Sequence, residues 1–282
     1  MVIKRFFHKI KIILARLFEP SLPYIPEEKQ YGNNGENEFF HDIQARLPNA
    51  KIKRNIVIQT LDGNAEIDCL ILYKNKLFAI EIKAWKGRLV DTGDEFIKYK
   101  QDNHNDDIHI EHLKSPFKQI NRSVYLLKKQ IPYDAWINSI VFFEGTDHIE
   151  TESANIWFKD INEITSYIVN AGKISRNNNA NLFFEKCIAA DYLYGKNSEY
   201  VEQCIVYSNS LCFNTSDGIL TRDQIHDIFI THHWSYDELK IKTVSGNYYY
   251  TKIENGSIYV NNNGYRHRRA LCNLDHIHLG NN

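Results

Sequence analysis

The sequence predicts an α/β (α+β) protein with a smaller β-rich module at its C-terminal end. Apolar residues alternate with period 2 through 65–90, as in strands. Apolar residues recur at helical spacing in 35–47 and again after Ser115. From about residue 195 the chain becomes rich in short aromatic and β-branched runs. We therefore predict five segments: an amphipathic helix 1–18, a linker 19–34, a main domain 35–170, a connecting segment 171–194 and a β-rich module 195–282.

The composition indicates a cytoplasmic protein without disulfides. The five cysteines are odd in number and form no CxxC pair, which favours a reducing compartment. The formal net charge is −1, so binding to nucleic acid would require a local basic patch. No apolar run reaches the roughly 18–20 residues of a membrane span. The helix 1–18 carries basic residues between its apolar ones, so it either packs on protein or lies peripherally on the inner face of a membrane.

The main domain is predicted to begin with a helix and a strand. In the helix 35–47, one stripe contains an acidic residue beside three apolar ones: Glu36, Phe40, Ile43 and Leu47. Glu36 is therefore expected to point in the same direction as the buried residues. Residues 51–60 follow as a strand, with Asp62-Gly63 as a turn.

The segment 65–90 predicts a hairpin whose turn is Lys74-Asn75. This register places Asp68 opposite Glu81, and Glu66 opposite Lys83, on one face. The other face is wholly apolar, with Ile67, Cys69, Ile71, Phe78, Ile80 and Ile82.

Two carboxylates opposite each other destabilise a sheet, and a divalent cation that bridges them removes the repulsion. Oxygen ligands of this kind suit Mg²⁺ or Mn²⁺. Lys83 points to the same face and can stabilise developing negative charge. The alternative from these residues alone is a charged surface with a Glu66–Lys83 ion pair, and both interpretations stay open.

The rest of the chain gives weaker predictions. Residues 86–114 read as an irregular excursion with one short strand at 96–99, and Ser115-Pro116 is a typical helix start. The further predicted elements are a helix to about Gln130, a buried strand Ile137–Phe143, short helices at 161–169 and 221–230, and a hairpin turn at Asn255-Gly256.

Three groups outside the hairpin could bind ligands. His232, His233, His276, His278 and Cys272 contain zinc-ligand types, but their spacing matches no ligand pattern, which favours a structural role. The basic run 265–269 and the tyrosines 248–250, predicted on neighbouring strands, could stack on single strands or simply form an exposed β-surface. Lys51, Lys53 and Arg54 could contact phosphates or be ordinary strand residues.

Four ordered motifs resemble the nuclease-related domain (NERD) family. AEIDCLILYKNKLFAIEIKAWKGRL is similar to its pattern of EID, three apolar residues and, later, I-E-x-K-x-x-x-G. Upstream, Gly32–Glu36 (GNNGE) resembles G-x-x-G-E, and downstream SPFKQ resembles N-P-x-x-Q with Ser115 in place of Asn. Cys69 stands where the family often has His. The resemblance covers about residues 32–170.

The family is assigned to the PD-(D/E)xK nuclease superfamily, so the resemblance implies a restriction-endonuclease-like mixed sheet flanked by helices. It implies Mg²⁺ or Mn²⁺ held by Asp68, Glu81 and the Ile82 carbonyl, with Lys83 acting on water or phosphate. Glu36 would complete the acidic cluster and Gln119 would contact substrate or water. The implied function is phosphodiester hydrolysis, with DNA as the favoured substrate. The alternative is an adaptor that binds or senses nucleic acid without cutting it.

Overall fold

The computed structural model describes residue 10 and residues 27–101, 108–171, 179–195, 200–215, 218–233, 236–254, 256–262 and 265–280. Apart from residue 10, the predicted helix 1–18 lies outside these residues, as do positions 19–26 of the predicted linker. None of the helices in this described part is both long and apolar enough to cross a membrane. The described chain separates into two compact units, Glu27–Ile188 and a second that begins at Ala189.

The first unit contains four helices and nine strands among its described residues. The helices are α1 (Glu27–Arg46), α2 (Pro116–Gln130), α3 (Ile161–Asn170) and α4 (Ala180–Lys186). The strands are β1 (Lys51–Thr60), β2 (Gly63–Tyr73), β3 (Lys76–Lys83), β4 (Gly87–Asp91), β5 (Glu95–Gln101), β6 (Ile108–Lys114), β7 (Ile137–Phe143), β8 (Thr146–Glu150) and β9 (Ile156–Phe158). These elements confirm the predicted mixed α+β class.

A five-stranded sheet in the order β1-β2-β3-β7-β9 forms the centre of this unit. β1, β2 and β3 are antiparallel neighbours, whereas β7 and β9 run parallel to β3. The β2–β3 hairpin has the predicted register, from Tyr73–Lys76 to Cys69–Ile80. Its turn residues Lys74 and Asn75 have φ of 46° and 59°, the left-handed pair that a tight hairpin needs.

Helices cover both faces of the central sheet. The apolar face of the hairpin packs with α1, α3 and β7 in one buried cluster, which includes Ile43, Ile80, Ile140 and Ile164. α2 contacts β1, β2, β3 and β7 and buries its own apolar stripe, which includes Phe117, Ile120 and Leu127. Because β3 is covered on both faces, six consecutive residues of this strand are buried, and a polar residue among them requires a special reason.

α1 differs from its prediction in two respects. It begins at Glu27, so residues 27–34, predicted to be linker, are helical. Its buried stripe contains Phe39, 2% exposed, rather than Phe40, which is only half-buried. The Phe39 ring lies 4.7 Å from the ring of Phe142 on β7. The true stripe therefore passes through Gly35, Phe39, Ile43 and Leu47, and Glu36 lies beside it rather than on it.

Residues 86–114, predicted as an irregular excursion, form strands instead, and the one short strand predicted at 96–99 lies within β5. β4, β5 and β6 form a meander, and with β8 they make a four-stranded sheet in the order β6-β5-β4-β8. All of β6 except Leu113 is exposed, so this strand lacks the buried face that identifies a half-buried strand. Phe96 of β5 is fully buried and packs on Phe117 and Phe143, so this sheet is joined to the core by aromatic contacts.

α2 begins where the sequence predicts. Ser115 is the N-cap, its side chain accepts a bond from the Lys118 N–H, and Pro116 occupies the first turn. The helix ends at Gln130. α3, observed at Ile161–Asn170, also confirms its predicted position.

The predicted connecting segment 171–194 contains regular structure. α4 lies within it and belongs to the first unit, whose boundary falls after Ile188. The Lys53 ammonium donates to the carbonyl oxygens of Phe184 (3.1 Å) and Cys187 (2.9 Å) at the end of this helix. Lysine cations at a helix C-terminus satisfy carbonyls that the helix leaves unpaired, so Lys53 ties α4 to β1.

The second unit is mostly β, as predicted, but begins earlier. Its strands are β10 (Asp191–Gly195), β11 (Tyr200–Val206), β12 (Cys212–Thr215), β13 (Gly218–Thr221), β14 (Ile225–His232), β15 (Asp237–Thr243), β16 (Tyr248–Ile253), β17 (Ser257–Asn262), β18 (Tyr265–Ala270) and β19 (His276–His278). Eight of them pair in the order β16-β15-β14-β19-β10-β11-β17-β18. β12 and β13 form a separate hairpin.

Three local predictions in this unit are wrong. The predicted helix 221–230 is a single 3₁₀ turn, Arg222–Gln224, followed by β14. Asn255-Gly256 does not close a hairpin, because β16 pairs with β15 while β17 pairs with β11 and β18; Asn255 itself lies outside the described residues. The tyrosines of β16 and the basic run of β18 therefore stand at opposite ends of the strand order rather than on neighbouring strands.

Candidate active site

The site is built where the β2–β3 ladder opens at Asp68. Regular pairing of the hairpin ends at Cys69–Ile80, and beyond it the Ile82 N–H donates to Asp68 Oδ2 at 2.7 Å. A side-chain carboxylate thus takes the place of a main-chain acceptor. The bond fixes Asp68 beside the last residues of β3, which is the end of the strand where the predicted register places Glu81.

Glu81 is a buried carboxylate on the central strand. Its side chain is 0% exposed, and Lys83 Nζ lies 2.6 Å from Oε1. Lys83 is thus the cation at Oε1, and Oε2 has no hydrogen-bond partner among the described residues. Lys83, which is 19% exposed, makes this ion pair with Glu81. A fully buried carboxylate with one oxygen left without a donor is an unfavourable arrangement that suggests a missing ligand.

Burial and mutual repulsion shift the pKa values of these groups. Burial, together with the charge of Asp68, raises the pKa of Glu81 to about 8. Burial also raises the pKa of Asp68, although Lys83 and the Ile82 N–H oppose the shift. The pKa of Lys83 is raised in spite of its own burial, because Glu81 and Asp68 stabilise its charge. If Asp68 and Glu81 were both ionised, they would carry more negative charge than Lys83 alone neutralises.

α1 adds Glu36 to this cluster through a close approach at Gly35. A Cβ at Gly35 would lie 2.1 Å from Glu144 Oε2 and 3.0 Å from Ala84 Cβ, so glycine lets the helix approach the ends of β3 and β7 without displacing the Glu144 side chain. Burial, then the charges of Asp68 and Glu66, raise the pKa of Glu36 to about 7. The glycine and glutamate of GNNGE thus have separate physical roles in one turn of helix.

Gly87, the last residue of the E-x-K-x-x-x-G motif, also has a conformational requirement. Its φ is +101°, and a Cβ there would lie 2.4 Å from the carbonyl oxygen of Tyr99. Between the motif's lysine and this glycine, Trp85 packs against Phe96 and Phe143, and its ring centroid lies 5.9 Å from Lys83 Nζ. The Trp85 ring, held by these two phenylalanines, therefore flanks the Lys83 side chain.

Other predicted site residues lie at greater remove. Gln119 is exposed in the first turn of α2, and no hydrogen bond within the described chain joins its side chain to the carboxylates. Lys51 pairs with Glu185, and Lys53 binds the end of α4, so neither is directed to the site. Arg54 differs, because its charge opposes the raised pKa of Glu36.

Asn55 lies beside the site and was not predicted from the sequence. Asn55 has φ of +50° within β1, and the register places it opposite Asp68. Asparagine is depleted in strands yet is among the residues that best tolerate left-handed backbone. An asparagine inside an otherwise apolar-alternating strand is the signal that could have identified it. This left-handed residue thus lies opposite Asp68, where the pairing of β2 with β3 ends.

The donor set fits a hard divalent cation. Asp68 and Glu81 supply carboxylate oxygens, and Glu81 Oε2 has no competing hydrogen bond in the described chain. The Ile82 N–H points toward Asp68, and the N–H and carbonyl of one strand residue point to the same side, so the Ile82 carbonyl is directed there too. Oxygen ligands of this type are preferred by Mg²⁺ and Mn²⁺.

The geometry and spacing of these residues agree with a comparison against known families. Residues 31–144 match the nuclease-related domain, NERD. The match confirms the resemblance seen in the motifs, and it ends one residue after β7, sooner than the predicted limit near 170. The NERD segment contains Glu36, Asp68, Glu81, Lys83 and Gln119, so all five candidate side chains lie inside the nuclease-related part. No curated protein and no solved structure matches the chain.

Proposed function

We propose that this chain is a Mg²⁺-dependent nuclease, with Mn²⁺ as an alternative cation, that hydrolyses phosphodiester bonds in DNA. The observation that carries the proposal is the fully buried Glu81 carboxylate, whose Oε1 meets only Lys83 and whose Oε2 has no hydrogen-bond donor in the described chain. A bound cation would supply the interaction that this carboxylate lacks. The nuclease-related segment supplies the reaction class, since it contains every residue involved.

Asp68, Glu81 and the Ile82 carbonyl would hold the cation. When bound, it would neutralise the carboxylates and make a coordinated water more acidic. The Ile82 N–H orients Asp68 for this role. The raised pKa of Glu81 indicates that binding would displace a proton, so affinity is expected to increase with pH.

Lys83 would act on the scissile phosphate or the attacking water. Its raised pKa keeps it cationic at neutral pH, and its ammonium can stabilise negative charge that develops on a phosphate oxygen. Glu36, with a pKa of about 7, would complete the acidic cluster and can exchange protons near neutral pH. Gln119, exposed at the start of α2, would contact the substrate.

The test is a cleavage assay on linear duplex, circular duplex, single-stranded DNA and RNA, with Mg²⁺ or Mn²⁺. We expect DNA cleavage that Asp68→Asn and Lys83→Ala each reduce by at least about 100-fold. Lys98→Ala is a matched control, because Lys98 is 18% exposed and also pairs with a glutamate, Glu111, at 2.9 Å. Asp91→Asn is the second control, since Asp91 likewise accepts a backbone N–H, from Gly93. Both controls should remain within about twofold of the wild type.

Uncut substrates with either cation would contradict the proposal. Calorimetry then identifies the alternative function: an adaptor binds nucleic acid without metal, and Glu81→Gln does not alter that binding. Cleavage that survives Asp68→Asn unchanged would show that the activity comes from another site or from a contaminant.

A further inference from the structure

Histidines from two neighbouring strands converge on Asp227 in the second unit. Asp227 Oδ1 contacts His276 Nε2 and His278 Nδ1, both at 2.9 Å, and Oδ2 contacts His226 Nδ1 at 2.6 Å. One nitrogen each of His226 and His278 and one oxygen of Asp227 lie within 4.8 Å of one another. Lys242 Nζ stands 3.8 Å from Oδ2.

A β-bulge brings two consecutive residues of β14 to the same face. Pairing with β15 shifts from Ile225–Thr243 to Asp227–Lys242, which leaves His226 as the extra residue. Ile225 and Ile228 both belong to the buried core, although three positions apart they would face opposite sides of a regular strand. The bulge therefore turns His226 and Asp227 outward together. Bulges of this kind commonly direct a side chain into a functional site.

Neighbouring aromatic rings hold His276 in place. His276 stacks on Phe229 with ring centroids 4.6 Å apart and planes 1° apart, and on Tyr194 at 5.1 Å. From this fixed position it contacts Asp227 Oδ1 and orients the carboxylate. A ligand whose orientation is set by an outer hydrogen bond is the usual construction of a protein metal site.

The side chains that would bind the metal are partly accessible. His226 is 26% exposed and His278 is 31% exposed, whereas Asp227 is 9% exposed. Burial alone would raise the pKa of Asp227, but bonds from His276, His278 and His226 lower it, so the carboxylate is anionic at neutral pH. Two imidazoles and one carboxylate, with an open side, form a set typical of zinc and related transition metals and not of Mg²⁺.

We propose that His226, Asp227 and His278 bind one Zn²⁺-type divalent transition metal, with His276 as a positioning residue for Asp227. Sequence spacing had favoured a structural role for these histidines. In fact His232 and His233 pair with Asp237 and Glu238, while His276 and His278 join a residue pair, His226-Asp227, that spacing did not indicate. The site is independent of the proposed nuclease function.

The test is a Zn²⁺ titration of the full chain in excess Mg²⁺, which keeps the oxygen-rich site of the first unit occupied. We expect one zinc equivalent, and His226→Ala or His278→Ala should weaken its binding at least tenfold, because even outer-sphere partners of metal ligands contribute about 10–100-fold. His233→Ala is the matched control, a half-exposed histidine paired with Glu238 in the same unit. Co²⁺ substitution should give visible absorption bands that disappear in the same two variants.

Two controls separate loss of metal binding from loss of folding. Circular dichroism of each metal-free variant reports folding, and His226→Gln offers a milder change at a partly exposed position. Unchanged zinc affinity in the His226 and His278 variants, or no zinc bound by the wild type in excess Mg²⁺, would overturn the proposal. Loss of the zinc equivalent in Asp68→Asn instead would assign that metal to the first unit and equally refute it.

Discussion

Replacing Glu81 by glutamine should change how stability depends on pH in metal-free buffer. The folded-state pKa of Glu81, about 8, exceeds its ordinary value of 4.5, so the folded chain holds an extra proton between these values. Stability therefore falls as pH rises through that interval, by about 1.4 kcal/mol per pH unit for one proton. Glutamine resembles the protonated acid and cannot lose that proton.

The raised pKa sets the size of the effect. From 4.5 to about 8, the shift corresponds to an upper limit of roughly 5 kcal/mol at pH 8. Glu36 and Asp68 also have raised pKa values. The stability of Glu81→Gln should therefore still fall as pH rises, but less steeply than that of the wild type. We expect Glu81→Gln to be the more stable protein at pH 8, with little difference near pH 5.

Urea unfolding followed by tryptophan fluorescence is the suitable assay. Trp85, Trp136 and Trp157 belong to the first unit, and they are three of the four tryptophans in the chain. Glu152→Gln is the control, since Glu152 is an exposed glutamate of the same unit. An unchanged pH slope in Glu81→Gln, or a wild type that becomes more stable from pH 5 to pH 8, would refute the reasoning. Added Mg²⁺ should stabilise the wild type far more at pH 8 than at pH 6, because it binds the ionised carboxylates.

Five further substitutions test the fold around the site by the same unfolding assay. Gly87→Ala should destabilise by about 1–3 kcal/mol, because φ is +101° and the new Cβ would meet the Tyr99 carbonyl; a neutral result would contradict this geometry. Ser115→Ala should lower stability by about 1 kcal/mol through loss of the α2 cap, whereas Ser115→Asn, which can also cap, should be nearly neutral. Phe39→Ala should cost about 3–5 kcal/mol and Phe40→Ala clearly less; equal losses would show that the helical stripe is wrongly placed.

The hairpin could be predicted because its signals are local. Period-2 alternation and a two-residue turn at Lys74-Asn75 define one register, and that register brings Asp68 near Glu81. The opening of the ladder could not be predicted, since it depends on the carboxylate of Asp68 replacing a main-chain acceptor for Ile82.

Errors elsewhere arose where non-local pairing decides the structure. β6 is almost wholly exposed, so no buried face marks it as a strand, yet it pairs along its whole length with β5. The Asn255-Gly256 dipeptide is a strong local turn signal, but β16 and β17 each find a different partner strand. In α1, Phe39 and Phe40 both satisfy a helical stripe, and the packing of Phe39 on Phe142 of β7 is a non-local contact that distinguishes them.

The bonds from Lys53 to α4 bear on where a shortened fragment of the first unit, Glu27–Ile188, should end. A fragment that ended at residue 144, where the family match ends, would lack α3 and α4 altogether. Lys53 is 9% exposed, and its ammonium would lose both carbonyl acceptors while remaining beside the core. Val57 on the same edge strand would lose its bond to the Ile188 carbonyl, leaving β1 as an open edge available for aggregation. Expression of the first unit on its own is therefore expected to require the chain through Ile188.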